Sequence, residues 1–126
     1  MKFLLDTHIL IWSLQNNNHL SQQIRDIINN IDNEIYVSAA SIWEIAIKSS
    51  INKLNLSVEK VVETLHDSDY FPLPITFSHS AKITQLPYYH NDPFDRILIA
   101  QTLVEKLTFI THDHKIKQYN IPLLFV

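Results

Sequence analysis

The sequence predicts an α/β fold: a three-layer α/β/α arrangement around a central parallel sheet of four to five short strands. Three observations predict it. Phe3-Leu4-Leu5, Ile35-Tyr36-Val37 and Thr108-Phe109-Ile110 are short runs without polar alternation, as expected of strands buried on both faces. Longer segments with apolar residues at helical spacing lie between them. Strands that alternate with helices run parallel to one another, and the crossover helices cover both sheet faces.

Taken in chain order, Phe3 to Leu5 is the first strand, and Ile9 to Leu14 a helix closed by the run Asn16-Asn17-Asn18. Leu20 to Ile31 carries a helical stripe of Leu20, Ile24, Ile27, Ile28 and Ile31. The strand Ile35 to Val37 leads into a helix from about Ser41 to Ile51, and a further helix runs from about Ser57 to His66. Phe71 to Pro74 reads as a short strand whose two prolines confine it to a sheet edge, or as a loop. Helices follow over Thr76 to Gln85 and Pro93 to Lys106, then the strand Thr108 to Ile110. A short helix from His114 to Tyr119 and a last strand from Leu123 to Val126 complete the chain. No linker, repeat or low-complexity tract divides it, so residues 1–126 are expected to form a single domain.

Composition narrows the possible functions. Hydrophobic residues make up 46% and charged residues 18%, a globular balance, and no run approaches the roughly 18 apolar residues of a membrane span. An acid at position 6 interrupts any secretory h-region, so the expected location is the cytoplasm. Cysteine is absent, which excludes disulfides and thiolate metal sites. Glycine is absent too, which excludes phosphate-cradling glycine loops and assigns left-handed backbone positions to Asn and Asp. A net charge of −3 argues against a nucleic-acid binder, unless the acids are gathered at a metal site where cations reverse the local sign.

Four acids fall where an open parallel sheet binds its ligands, beyond the carboxyl ends of the strands. Asp6 ends the first strand and Asp113 follows the strand Thr108 to Ile110. Glu44 lies one turn into the helix after Ile35 to Val37, and Asp95 opens the helix that leads into Thr108 to Ile110. Each has a structural explanation alone. Asp6 and Asp113 can cap the helices that follow, and Glu44 can complete a Ser41-x-x-Glu44 capping box. Asp95 sits where a helix dipole favours an anion. Together, four carboxylates at one edge would repel one another and raise each other's pKa values. A hard cation, Mg²⁺ or Mn²⁺, is the usual means of keeping such a cluster ionised. Asp92, directly before Pro93, reads mainly as a helix N-cap.

The remaining polar and aromatic candidates carry less. His8, His90, His112 and His114 flank the acids without zinc-motif spacing and read as solvated loop residues. Trp12 and Trp43 read as core. Arg96 either braces an acid, meets a phosphate, or is a surface or ion-pair arginine. Ser38 and Ser41 lack a nucleophile elbow. Asp6-Thr7-His8 lacks the second Asp that a haloacid-dehalogenase-like phosphatase requires.

Four stretches in order, "LLDTH" at 4–8, "SIWEIAIK" at 41–48, "DPFDRILIAQ" at 92–101 and "THD" at 111–113, resemble the PIN-domain ribonucleases. The likeness is specifically to the toxin of VapBC-type (type II) toxin–antitoxin pairs, in the branch carrying Asp-Pro-Phe-Asp-Arg. One departure is Asn52-Lys53-Leu54, where relatives often have Gly-Lys-Leu at a turn. The resemblance implies a PIN-like fold and metal-dependent RNA cleavage. Asp6, Glu44, Asp95 and Asp113 would be the catalytic, Mg²⁺- or Mn²⁺-holding residues, with Thr7 and Thr111 hydrogen-bonding the carboxylates. It also implies an RNA substrate, a cognate antitoxin and a homodimer. Ile47, Ile51 and Leu54 are candidate antitoxin contacts, or else core. The competing expectation is a module that binds metal or a partner without turnover.

Overall fold

A computed structural model describes residues 1–126. The strands are β1 (Lys2–Leu5), β2 (Glu34–Ser38), β3 (Phe71–Leu73), β4 (Thr108–Thr111) and β5 (Leu123–Phe125). All pair parallel, in the order β3-β2-β1-β4-β5. Six helices flank them: α1 (Thr7–Gln15), α2 (Gln22–Asn29), α3 (Ala39–Ser50), α4 (Val58–His66), α5 (Phe77–Lys82) and α6 (Pro93–Glu105). This is the expected α/β architecture with the five-strand sheet.

Side chains from successive strand residues go to two separate cores, which is why the strand runs are apolar throughout. Phe3 and Leu5 of β1, Ile35 and Val37 of β2 and Ile110 of β4 pack with Ile9, Leu10 and Ile24 from α1 and α2. Leu4 and Phe109 enter the opposite core, with Leu98, Ile99 and Ala100 of α6. Pro72 is tolerated because β3 is an edge strand.

Several expectations shift in detail. The stripe ending at Ile31 stops as a helix at Asn29, and Ile31 is almost fully exposed. The segment Thr76 to Gln85 divides into α5 and a 3-10 turn, Ile83–Gln85. The segment after Asp113 is also a 3-10 helix, His114–Gln118. Left-handed backbone occurs at Asn16 and Asn52, as glycine's absence suggests, but also at Lys106. There the Lys106 and Leu107 N–H groups both cap the Thr102 carbonyl, and Leu107 is buried in the second core. Burial of Leu107 and the closed helix end offset a strain of about 1–2 kcal/mol.

Trp43 is no core residue: it is 59% exposed and meets Phe94 edge-on at 5.0 Å. Its neighbour Glu44 takes the inward position instead. Trp12 packs partly buried against the first core. Ile47 on α3 and Ile51 at its C-cap are exposed, while Leu54 packs against the core.

Candidate metal centre

The strand order reverses direction at β1, between β2 on one side and β4 on the other, and the acids collect at that switch point. Asp6, Glu44, Asp95 and Asp113 line one cavity of about 660 Å³, together with Asp92, Lys48, Lys115, His8, His90, His112 and His114. Every lining residue is polar or charged.

Local capping accounts for only part of this arrangement. Asp6 holds the N-cap position of α1 but makes no side-chain cap bond. Its carboxylate instead accepts a short hydrogen bond from the Thr111 hydroxyl, and Asp6 is 3% exposed. Burial raises its pKa, against the opposing effect of Thr111. The Ser41–Glu44 capping box does not form, because Ser38 caps α3 three residues earlier. Ser41 instead accepts from the Thr7 hydroxyl at 3.0 Å, so Thr7 braces α1 against α3 and does not reach an acid through its side chain. Asp92 caps α6 as expected, accepting from the Phe94 N–H at 2.8 Å. Asp113 both caps and faces the site: one oxygen accepts from the Lys115 N–H and the other from His90.

His90 departs most from the sequence-based expectation of a solvated loop residue. Far from being solvated, its side chain is 10% exposed, and its Nε2 lies 2.9 Å from the Oδ2 atoms of both Asp95 and Asp113. The Asp92 N–H donates to Nδ1, so the ring hydrogen belongs on Nε2. That single N–H has hydrogen-bond geometry toward Asp113. Asp95 is left without a full counter-charge. Burial, then the Asp6, Asp92, Glu44 and Asp113 charges, push its pKa up to about 8. Burial also tends to raise Asp113, but hydrogen bonds from Lys115 and His90 outweigh it and hold that pKa below the usual value.

Ligand atoms of His90, Asp95 and Asp113 all lie within 4.8 Å of one another. Asp6 and Glu44 share the cavity outside this knot. One Glu44 oxygen bonds the Lys48 ammonium at 2.7 Å, which raises the lysine pKa, while Oε1 is buried with no partner. An orphaned buried carboxylate oxygen, an acid pushed to about 8 and an oxygen-rich donor set fit a hard divalent cation.

Arg96 neither braces an acid nor faces the cavity. It is 4% exposed and donates to the Pro87, Ile83 and Leu86 carbonyls, with the Tyr88 ring 4.0 Å away. It thereby holds the loop that carries His90. Lys48, His90 and Lys115 also line the site, beyond the residues that the sequence predicts. The Glu44–Lys48 spacing of four on a helix was a usable signal for Lys48. Nothing local marks His90, whose placement depends on that loop.

A parallel sheet with carboxylates gathered at its switch point defines the class, an α/β protein with an acid-lined site. More particularly, the chain belongs to the PIN-domain family, which it matches over residues 3–122. No curated protein matches. Solved structures share the fold at low identity. VapBC2 from Rickettsia felis, bound to a DNA fragment from its promoter, aligns at TM-score 0.73 and 18% identity, covering 99% of this chain and 98% of that one. DNA-bound VapBC from Salmonella typhimurium aligns at 0.74 and 15%, with the same coverage. FitAcB from Neisseria gonorrhoeae aligns at 0.70 and 18%, covering 98% and 96%.

Proposed function

We propose that this chain is the toxin of a toxin–antitoxin pair and acts as a Mg²⁺- or Mn²⁺-dependent endoribonuclease. The observation that carries the reading is the convergence of Asp6, Glu44, Asp95 and Asp113 on one polar cavity at the switch point. Asp6, Asp95 and Asp113 would hold the cation, with Glu44 as a further ligand through its free Oε1. When bound, the cation supplies Lewis acidity that activates a water and stabilises charge on the phosphodiester oxygens. The protein's own groups prepare the site. Thr111 orients Asp6, and His90 orients Asp113. Lys48 and Lys115, in the cavity wall, supply positive charge for an RNA phosphate.

Membership of the PIN family supports the nuclease reading. The toxin–antitoxin complexes among similar folds support an inhibitory partner, as does exposed apolar surface at Trp43 and Ile47 of α3 and at Ile51, its C-cap. A basic antitoxin side chain reaching the carboxylates would inhibit by charge. A homodimer is part of the same reading.

Purified protein should cleave RNA with Mg²⁺ or Mn²⁺ and stop on chelation. Replacement of Asp6, Glu44, Asp95 or Asp113 by the amide should each lower the rate by orders of magnitude. Full activity in any two of these variants would sink the site assignment. Co-expression with the neighbouring upstream reading frame, followed by pull-down and sizing, tests the antitoxin and the dimer; a monomer recovered alone and still toxic would count against both.

A further inference from the structure

The acid cavity runs into a row of aromatic rings that the chemistry above leaves unused. His8 and His112 line the cavity beside the acids. The two imidazoles meet edge-on with centroids 5.7 Å apart. His112 lies 4.6 Å from Trp12, and Trp12 stacks on His19 at 5.2 Å with only 20° between the planes. His8 and His19 are exposed, and the two middle rings are half-buried. Asn17 Oδ1 accepts from both the backbone N–H and Nδ1 of His19, at 2.9 and 2.8 Å, which fixes the outermost ring. Beyond it lies a concavity of about 510 Å³ lined by Asn16, Asn17, Asn18 and His19. The Arg25 guanidinium, bonded to Asn16, adds positive charge there.

We infer that this row is a base-stacking track for single-stranded RNA, leading from the scissile phosphate at the acids past His8 and His19 to the asparagine loop. The inference rests on the nuclease reading and names how that site grips its substrate. Aromatic and imidazole faces hold unstacked bases, and side-chain amides read base edges. Simple packing explains the row less well. Its ends are exposed, and His112 Nδ1 is buried with no partner, a penalty that an apolar ring would avoid. Stacking also bears on the net charge of −3, because it adds affinity to what Lys48, Lys115 and Arg25 supply by charge.

The test uses the full chain carrying Asp6→Asn to block cleavage and Trp43→Phe to leave Trp12 as the single tryptophan. Titration with a mixed-sequence single-stranded oligoribonucleotide should change Trp12 fluorescence saturably. His8→Ala and His19→Ala, both at exposed positions and checked for folding by circular dichroism, should each weaken binding roughly fivefold to a hundredfold per lost stack. His19→Phe should retain most of the affinity. In protein with Asp6 intact, the two alanine variants should raise KM more than they lower kcat. Intact cleavage with unchanged KM and a silent Trp12 overturns the track and leaves the nuclease reading standing. Alanine variants that alter only antitoxin inhibition overturn it as well. Absence of both cleavage and RNA binding removes the nuclease reading and the track together.

Discussion

The Thr111 hydroxyl donates to the Asp6 carboxylate, joining the ends of two neighbouring strands whose residues stand 105 positions apart in sequence. The same hydroxyl oxygen accepts from the Asp113 N–H at 3.1 Å. One buried threonine therefore sets the position of two acids. Thr111→Val keeps the shape and removes both bonds. It is expected to lower RNA cleavage about 10- to 100-fold, the usual effect of losing a group that orients a ligand. Thr111→Ser should retain most activity. Equal rates for valine and serine would show that the hydroxyl has no orienting role.

Asp95 gives the metal-free protein an unusual pH dependence. Its pKa rises from 3.8 to about 8 on folding, so between those values the native state binds more protons than the unfolded chain. Stability must then fall as pH rises through that window. Asp6, raised by burial, acts with the same sign, whereas Asp113, lowered, acts oppositely at acid pH. Melts in chelator should show the protein more stable near the acid end of the window, and Asp95→Asn should flatten the slope. A wild-type Tm that rises steadily across the window would contradict the assigned protonation.

Metal should oppose that trend. The cation and the proton compete for the same carboxylates, so Mg²⁺ should bind more tightly as pH rises toward about 8. At a hundredfold excess over its Kd the ion should stabilise the wild type by about 2.7 kcal/mol. Asp6→Asn relieves like-charge repulsion, so it should match or exceed the wild-type Tm in chelator and gain little from Mg²⁺. Identical responses of the two proteins to Mg²⁺ would remove Asp6 from the ligand set.

Arg96 is expected to matter for folding before chemistry. Its guanidinium reaches three carbonyls of the segment that carries His90, a fork that a lysine ammonium cannot reproduce. Arg96→Lys should cost roughly 2–4 kcal/mol of stability in denaturant melts, from lost charge-assisted bonds. Cleavage should fall only as far as the loop loosens. An undisturbed melt with abolished activity would instead place Arg96 at the substrate.

Asp92 and Asp95 show how far local chemistry can be read from sequence. An Asp before Pro at a helix start is a capping signal wherever it occurs, and Asp92 caps. Strand and helix periodicities are likewise local, so the sheet and its helices were legible from the apolar pattern, and the acids could be assigned to its carboxyl edge. The sequence by itself determined that much. The tertiary structure decided which side chains those acids meet. Trp43 faces out while Ser41, Glu44 and Ile45 form the inward face of α3. Arg96 is buried because the 83–87 segment turns three carbonyls toward its guanidinium. His90 reaches Asp95 and Asp113 only because loop and strand end are folded against each other. Periodicity reports which face of an element is buried. The partners across the gap come from segments far apart in the chain, and their contacts exist only once the packed fold removes water and fixes the distances.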